Sequence, residues 1–208
     1  MNLEQGSSTG GVVKHHDAVA LAGKRATDLL LVATATILAS PILLATMVAI
    51  VLDSPGSPIF KQKRVGKDGK LFSIYKFRTM YVDTPNVATE LMLKMERSPI
   101  TKVGAFLRRT SIDELPQLFN VWRGDMSIVG PRPALFNQYE LTEMRQKAGA
   151  LSMPPGITGW AQVNGRDELT DEMKVLLDQW YCANWNYFLD WKIIVRTIVE
   201  VILGRGAK

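Results

Sequence analysis

Hydrophobic positions along the chain fall into three regimes. In residues 29–52, LLLVATATILASPILLATMVAIVL, no position is charged. A straight helix of that run reaches about 36 Å, longer than a hydrocarbon core of about 30 Å. It is long for the apolar core of a secretory signal, and no clear A-x-A cleavage site follows. Ser40-Pro41 sits near its middle. Proline removes a backbone donor and crowds the preceding turn, which predicts a kink or break there. The Thr36 and Ser40 hydroxyls could serve the freed backbone.

In residues 58–80, PIFKQKRVGKDGKLFSIYKFRTM, two strand-like arms flank Asp68-Gly69, a favoured tight-turn pair, so the segment predicts a β-hairpin. Helical spacing follows around TELMLKMER (89–97), in KVGAFLRR (102–109) and over most of 169–203. The opening MNLEQGSSTGGVVKHHDAVA is Gly/Ser-rich without sustained periodicity and predicts a mobile tail. The expected fold is therefore mainly α with a small β-hairpin.

Charge sharpens the membrane question. Lys24 and Arg25 precede the apolar run, and Lys61, Lys63, Arg64, Lys67 and Lys70 follow it. Basic flanks belong on the cytoplasmic side. A helix that enters, bends at Ser40-Pro41 and returns keeps both flanks there, each limb reaching about 18 Å, or one leaflet. A plain single span is the alternative, since prolines also occur in spanning helices. The aromatics Trp180, Tyr181, Trp185, Tyr187, Phe188 and Trp191 gather near the C-terminus. They suit helices lying at a membrane surface, with an ordinary core as the alternative. The net charge of +5 suits anionic lipid, nucleotide or nucleic acid equally. One cysteine, Cys182, and one remote pair, His15 and His16, exclude an internal disulfide and argue against a zinc site or a Cys–His nucleophile.

The densest chemistry lies in TSIDELPQLFN, residues 110–120, where Asp113 and Glu114 are adjacent. Ser111-x-x-Glu114 matches a capping box, with Pro116 suited to a first helical turn. On that view the acids only complement a helix dipole. The neighbourhood adds a second possibility. Arg108, Arg109, Arg123 and Arg132 surround the acids, and arginine grips phosphate oxygens at two points. Two carboxylates among arginines can hold Mg²⁺ on one side and phosphate on the other, and an aspartate can form an acyl phosphate. Asp125 is a further acid, suited to a cap or an outer contact. GITGWAQVNGR, residues 156–166, resembles a turn-laden loop in which Gly156, Gly159 and Gly165 allow close backbone approach to a ligand, with a structural connector as the alternative.

KRATD, PIFKQKRVGKDGKLFSIYKFRTM, TSIDELPQLFNVWRGDMSIVGPRP and PGITGWAQVNGR together resemble the bacterial sugar transferase family, the monotopic phosphoglycosyl transferases, from about residue 22 to 204. The resemblance implies transfer of a sugar-1-phosphate from a UDP-sugar to polyprenyl phosphate, usually undecaprenyl phosphate, with release of UMP. It implies Mg²⁺ and a covalent phosphosugar on Asp113, with Glu114 as its partner and both acids at the metal. It places Arg108 on phosphate, and Arg132, between Pro131 and Pro133, near the nucleotide or phosphates. It places the re-entrant break on Ser40-Pro41 and the basic pair on Lys24-Arg25, favouring re-entry over a span. Residues 1–20 are then a tail, 21–55 a re-entrant membrane helix, and 56–208 a catalytic domain with interfacial amphipathic helices. The expected location is the cytoplasmic face of the bacterial inner membrane. Many relatives carry extra spans and a further domain, and this chain resembles the minimal catalytic form. Glucose or galactose is the expected sugar, with N-acetylated donors as the alternative. A non-catalytic scaffold for polysaccharide assembly is the rival class, and no nucleic acid is expected. A homodimer through the interfacial helices is compatible with the sequence.

Overall fold

The computed structural model describes residues 17–82, 84, 98–165 and 168–203. Helix α1 (Ala18–Asp53) begins at Asp17, whose side chain accepts from the Val19 amide. Strands β1 (Ile59–Val65) and β2 (Leu71–Phe77) form an antiparallel hairpin. Helices α2 (Lys102–Thr110) and α3 (Gln117–Arg123) follow, joined by a 3₁₀ turn, Ile112–Glu114. Strands β3 (Ser127–Val129) and β4 (Gly156–Thr158) pair in parallel, with α4 (Tyr139–Lys147) in their crossover. Helices α5 (Asp171–Asn184) and α6 (Tyr187–Ile202) complete the described fold.

The hairpin forms where its turn chemistry predicts. Asp68 and Gly69 both adopt left-handed backbone, at φ 54° and 77°, which Asp tolerates and Gly accepts freely. The helix expected at 89–97 lies outside the described residues, as does most of the tail. In the GITGWAQVNGR stretch, Gly156–Thr158 is strand rather than loop. A three-residue strand paired to a distant partner leaves no local period to read.

Helix α1 is long and apolar enough to cross a membrane, and only 11% of its most apolar window is buried by the rest of the protein. Helical structure continues through Ser40 and Pro41 rather than stopping there. Pro41 lacks the amide that would reach the Ile37 carbonyl, and the Ser40 hydroxyl donates to that carbonyl instead, at 2.8 Å.

Both ends of α1 are built into the body. Near its start, Lys24 is 5% exposed and its Nζ lies 2.6 Å from Asp190 of α6. Arg25 donates to the Val121 and Trp122 carbonyls at the end of α3. Asp28 accepts from the Ser127 hydroxyl at 2.7 Å. Near its finish, Asp53 accepts from the Val103 amide, and Arg78 donates to the Ser54 and Pro55 carbonyls. Val32 packs in a cluster with Ile74, Val121 and Met126, and Ile50 in one with Phe77 and Leu107. Between Val32 and Thr46 no residue is buried.

The largest core cluster joins α5 and α6 to the parallel strands through Val129, Met153, Tyr181, Trp185, Leu189 and Ile193. Tyr181 and Trp185 are therefore core residues, at 1% and 8% exposure. Trp180, Tyr187, Phe188 and Trp191 stay exposed. The exposed face of α6 is a stripe of Phe188, Trp191, Val195, Ile198, Val199 and Ile202. Its helical spacing makes α6 apolar on two sides.

Gly104 sets how closely α2 approaches the hairpin. A Cβ there would overlap the Thr79 carbonyl. Gly104→Ala is expected to lower the unfolding temperature, at a cost of about 1–3 kcal/mol for overpacking. Helix propensity alone favours alanine by about 1 kcal/mol, so an unchanged or raised unfolding temperature would refute the close-contact assignment.

Candidate active site

The adjacent acids sit on a sharp change of chain direction. Ser111 closes α2 in left-handed backbone, φ 57°, with its amide bonded to the Arg108 carbonyl at 3.2 Å. The predicted capping box does not form. Ser111 makes no side-chain cap, and the Glu114 amide reaches only its backbone carbonyl, at 3.2 Å. The reason is that Ser111 ends one helix and opens a single 3₁₀ turn, while α3 begins only after Pro116. Glu114 is thereby free to reach across the fold.

Its carboxylate does so. Glu114 Oε1 accepts from Lys76 Nζ of β2 at 2.7 Å and from Arg132 Nη2 at 3.3 Å. Burial alone would raise its pKa, but the Arg132 and Lys76 charges and hydrogen bonds prevail and hold it down at about 2. Asp113 is tuned the other way. Burial raises its pKa against the pull of Lys76, the neighbouring Glu114 charge adds to the rise, and Arg108 opposes it. Among the described residues no other side chain hydrogen-bonds or pairs with the Asp113 carboxylate, whose hydrogen-bond donor is its own backbone amide. Arg108, whose pKa burial lowers against the nearby Asp113 charge, donates from Nε to the Thr79 hydroxyl at 3.0 Å.

Beside Glu114 lies a small cavity lined by Arg64, Ile74, Lys76, Glu114, Gln117, Arg132, Pro133 and Gly156, with Asp113 and Arg108 outside its lining. Three cations face one carboxylate there, so the space suits an anion. Arg64 donates to Gln62 Oε1 and to the Pro133 carbonyl. Burial, and then the Arg132 charge, lower its pKa to about 10, with Glu114 opposing. Three consecutive carbonyls of the 131–133 loop are held from three directions. Pro131 accepts from the Gly156 amide at 3.0 Å, Arg132 from Arg145 at 2.8 Å, and Pro133 from Arg64 at 3.0 Å. Arg145 is fixed in turn by Asp178 at 2.6 Å, with side chains 4% and 1% exposed. Pro133 lines the cavity, whereas Pro131 acts behind it by shaping the loop.

The other arginines suggested by the sequence do not join this site. Arg109 lies over the Phe106 ring, and Arg123 pairs with Asp125 at 3.3 Å. Asp125 stands near Asn120 rather than the acid pair. Burial pushes the Cys182 thiol up to about 12, which leaves it unreactive.

Comparison with known proteins places this arrangement. The family model described as bacterial sugar transferase matches residues 19–204. The chain belongs to the bacterial sugar transferase family. A galactosyl transferase of Streptococcus agalactiae is 48% identical over 164 residues, 74% of this chain and 36% of that protein. The UDP-glucose:undecaprenyl-phosphate glucose-1-phosphate transferase of Escherichia coli is 43% identical over 197 residues, 88% of this chain and 41% of its own length. The exopolysaccharide production protein ExoY of Rhizobium meliloti is 36% identical over 198 residues, 88% of this chain and 87% of that protein. The chain thus spans well under half of the first two relatives and most of the third.

In this sugar transferase, sequence reasoning singled out Asp113, Glu114, Arg108 and Arg132, of which Glu114 and Arg132 line the cavity, and did not single out the lining residues Lys76, Arg64 and Gln117. A signal for two of them existed. The hairpin register sets Arg64 opposite Phe72 and Lys76 opposite Phe60, and alternation then puts both cations on one face of the ribbon. Gln117 carries no such signal, because only the fold brings it to the cavity.

Proposed function

We propose that this sugar transferase moves a sugar-1-phosphate from a UDP-sugar to a polyprenyl phosphate, undecaprenyl phosphate by preference, and releases UMP. The observation that carries this is the opposite tuning of two adjacent acids. Glu114 is held as an anion by Lys76 and Arg132, while the Asp113 carboxylate has no side-chain partner among the described residues and feels the Arg108 charge. An Asp113 oxygen attacks the phosphorus that bears the sugar, and the bond from that phosphorus to the UMP oxygen breaks. UMP leaves with the electron pair, and the phosphosugar stays on Asp113. An oxygen of polyprenyl phosphate then attacks the same phosphorus and frees the carboxylate. Arg108 and Arg132 hold the nonbridging oxygens.

The donor set fits Mg²⁺, which is commonly held by one or two carboxylates together with substrate phosphates and water. Asp113 and Glu114 would hold it, and Glu114 keeps Oε2 open because both its cation contacts use Oε1. Bound there, the ion would neutralise the diphosphate charge. The names of the relatives support a glucose or galactose donor, since one found in Salmonella typhimurium is an undecaprenyl-phosphate galactose phosphotransferase.

Membrane re-entry has geometric support. Val32 shares a cluster with Ile74, and Ile50 with Phe77. Those strand positions are about 10 Å apart, whereas a straight helix separates Val32 from Ile50 by about 27 Å. A helix bent near Pro41 meets both clusters and sends its uncovered middle into one leaflet. The exposed α6 stripe then lies on the same surface, at the cytoplasmic face of the inner membrane. UMP release by protein in lipid nanodiscs, with Mg²⁺, undecaprenyl phosphate and a panel of UDP-sugars, tests the proposal. Release with UDP-glucose or UDP-galactose is expected, and no release with any donor would overturn it.

A further inference from the structure

Gln117 follows Glu114 by three positions and is 2% exposed. It lines the cavity with Lys76, Glu114 and Arg132. Among the described residues its side-chain amide makes no hydrogen bond. Asn120, one turn along α3, shows the contrast. Asn120 is 0% exposed, accepts from the Tyr75 amide at 3.0 Å and donates to the Ser73 carbonyl at 2.7 Å. A glutamine amide carries two donors and an acceptor, and neither amide atom of Gln117 is among the fully buried, unpartnered polar atoms of the described residues, so the amide stays open to the cavity it lines. An apolar side chain of the same length would fill the space equally, so what glutamine adds at this position is an open pair of donors facing the cavity.

We infer that Gln117 is a substrate-binding residue whose amide N–H donates to a phosphoryl oxygen of the anion held in the Glu114–Arg132 cavity. The cavity's cations, Arg64, Lys76 and Arg132, outnumber its one carboxylate, so the occupant is anionic and the amide presents its donor side. A neutral donor adds direction to a site where the cations supply attraction. The identity of the anion, the diphosphate of a UDP-sugar, rests on the function proposed above. Donation to a phosphoryl oxygen does not.

Inorganic pyrophosphate is the probe, titrated calorimetrically into the full chain in nanodiscs without Mg²⁺, with ligand-free unfolding temperatures measured alongside. Gln117→Met keeps the length and removes the donors. Gln117→Glu keeps the shape and adds a negative charge. The expected result is about tenfold weaker binding for Gln117→Met and about a hundredfold for Gln117→Glu, the scale of a hydrogen bond to a charged group and of an added repulsion. The unfolding temperature of Gln117→Met should equal or exceed that of the unaltered chain. Unchanged affinity in Gln117→Met would overturn the inference. So would an unfolding temperature that falls with the affinity, or no pyrophosphate binding by the unaltered chain. Binding that depends on Gln117, in a chain that releases no UMP, upholds the inference and overturns the proposed reaction. Normal UMP release by Gln117→Met, at unchanged KM and pyrophosphate affinity, does the reverse.

Discussion

Asp113→Asn is expected to reduce UMP release by at least about 10⁴-fold, the scale seen when a group acting in a catalytic unit is removed. Asparagine matches the shape but offers an amide in place of the attacking carboxylate oxygen. The fold should survive, because among the described residues no other side chain pairs with Asp113, and asparagine keeps an oxygen for its own backbone amide. The sign of its pKa shift agrees. A carboxyl whose folded pKa is raised stabilises the fold fully below its unfolded value of 3.8, and that contribution is lost as pH rises through the folded value. At neutral pH the charge therefore opposes folding, and the variant should melt at or above the temperature of the unaltered chain. Substantial UMP release by a well-folded Asp113→Asn would remove Asp113 from the nucleophile's role. Loss of release with a collapse in stability would show a structural residue instead.

Asp178→Ala is expected to cost about 3–5 kcal/mol of stability, because it strands the Arg145 charge inside the protein. The two side chains are 1% and 4% exposed and 2.6 Å apart. The effect should extend to the site, since the same arginine donates to the Arg132 carbonyl at 2.8 Å. Loosening that loop moves the guanidinium that pairs with Glu114, so UMP release should fall even in the fraction that stays folded. Equilibrium unfolding in detergent reads the first effect, and release per folded molecule reads the second. A double replacement, Arg145→Met with Asp178→Leu, should recover much of the stability by removing both charges together. If Asp178→Ala costs less than about 1 kcal/mol, the pair does not hold the loop.

What the sequence made legible was mostly local. Asp68-Gly69 places the hairpin turn, because both residues tolerate the left-handed backbone it needs. The uncharged run gives α1, and Ser40 meets the carbonyl that Pro41 leaves unserved. The acid pair and Arg108 and Arg132 stand out by residue type. What failed depends on contacts across the chain. The Ser111-to-Glu114 spacing fits a capping box, yet Glu114 is drawn to Lys76 and Arg132, which no local motif encodes. Tyr181 and Trp185 lie inside because α5 packs on the parallel strands, while their neighbours Trp180 and Tyr187 stay outside. A helix apolar on both faces hides that choice from the sequence.

Helix α1 has a role beyond attachment to lipid. Lys24, Asp28, Val32 and Ile50 are buried against the catalytic body, and Arg25 holds the last carbonyls of the helix that follows the acid pair. A chain shortened to begin after residue 53 would lose one wall of its own interior along with its anchor. Asp190 would lose its lysine partner, and Val121 and Met126 would lose the Val32 side chain packed against them. Solubility cannot be obtained here by trimming, because the lipid-facing segment and the catalytic body are one folding unit.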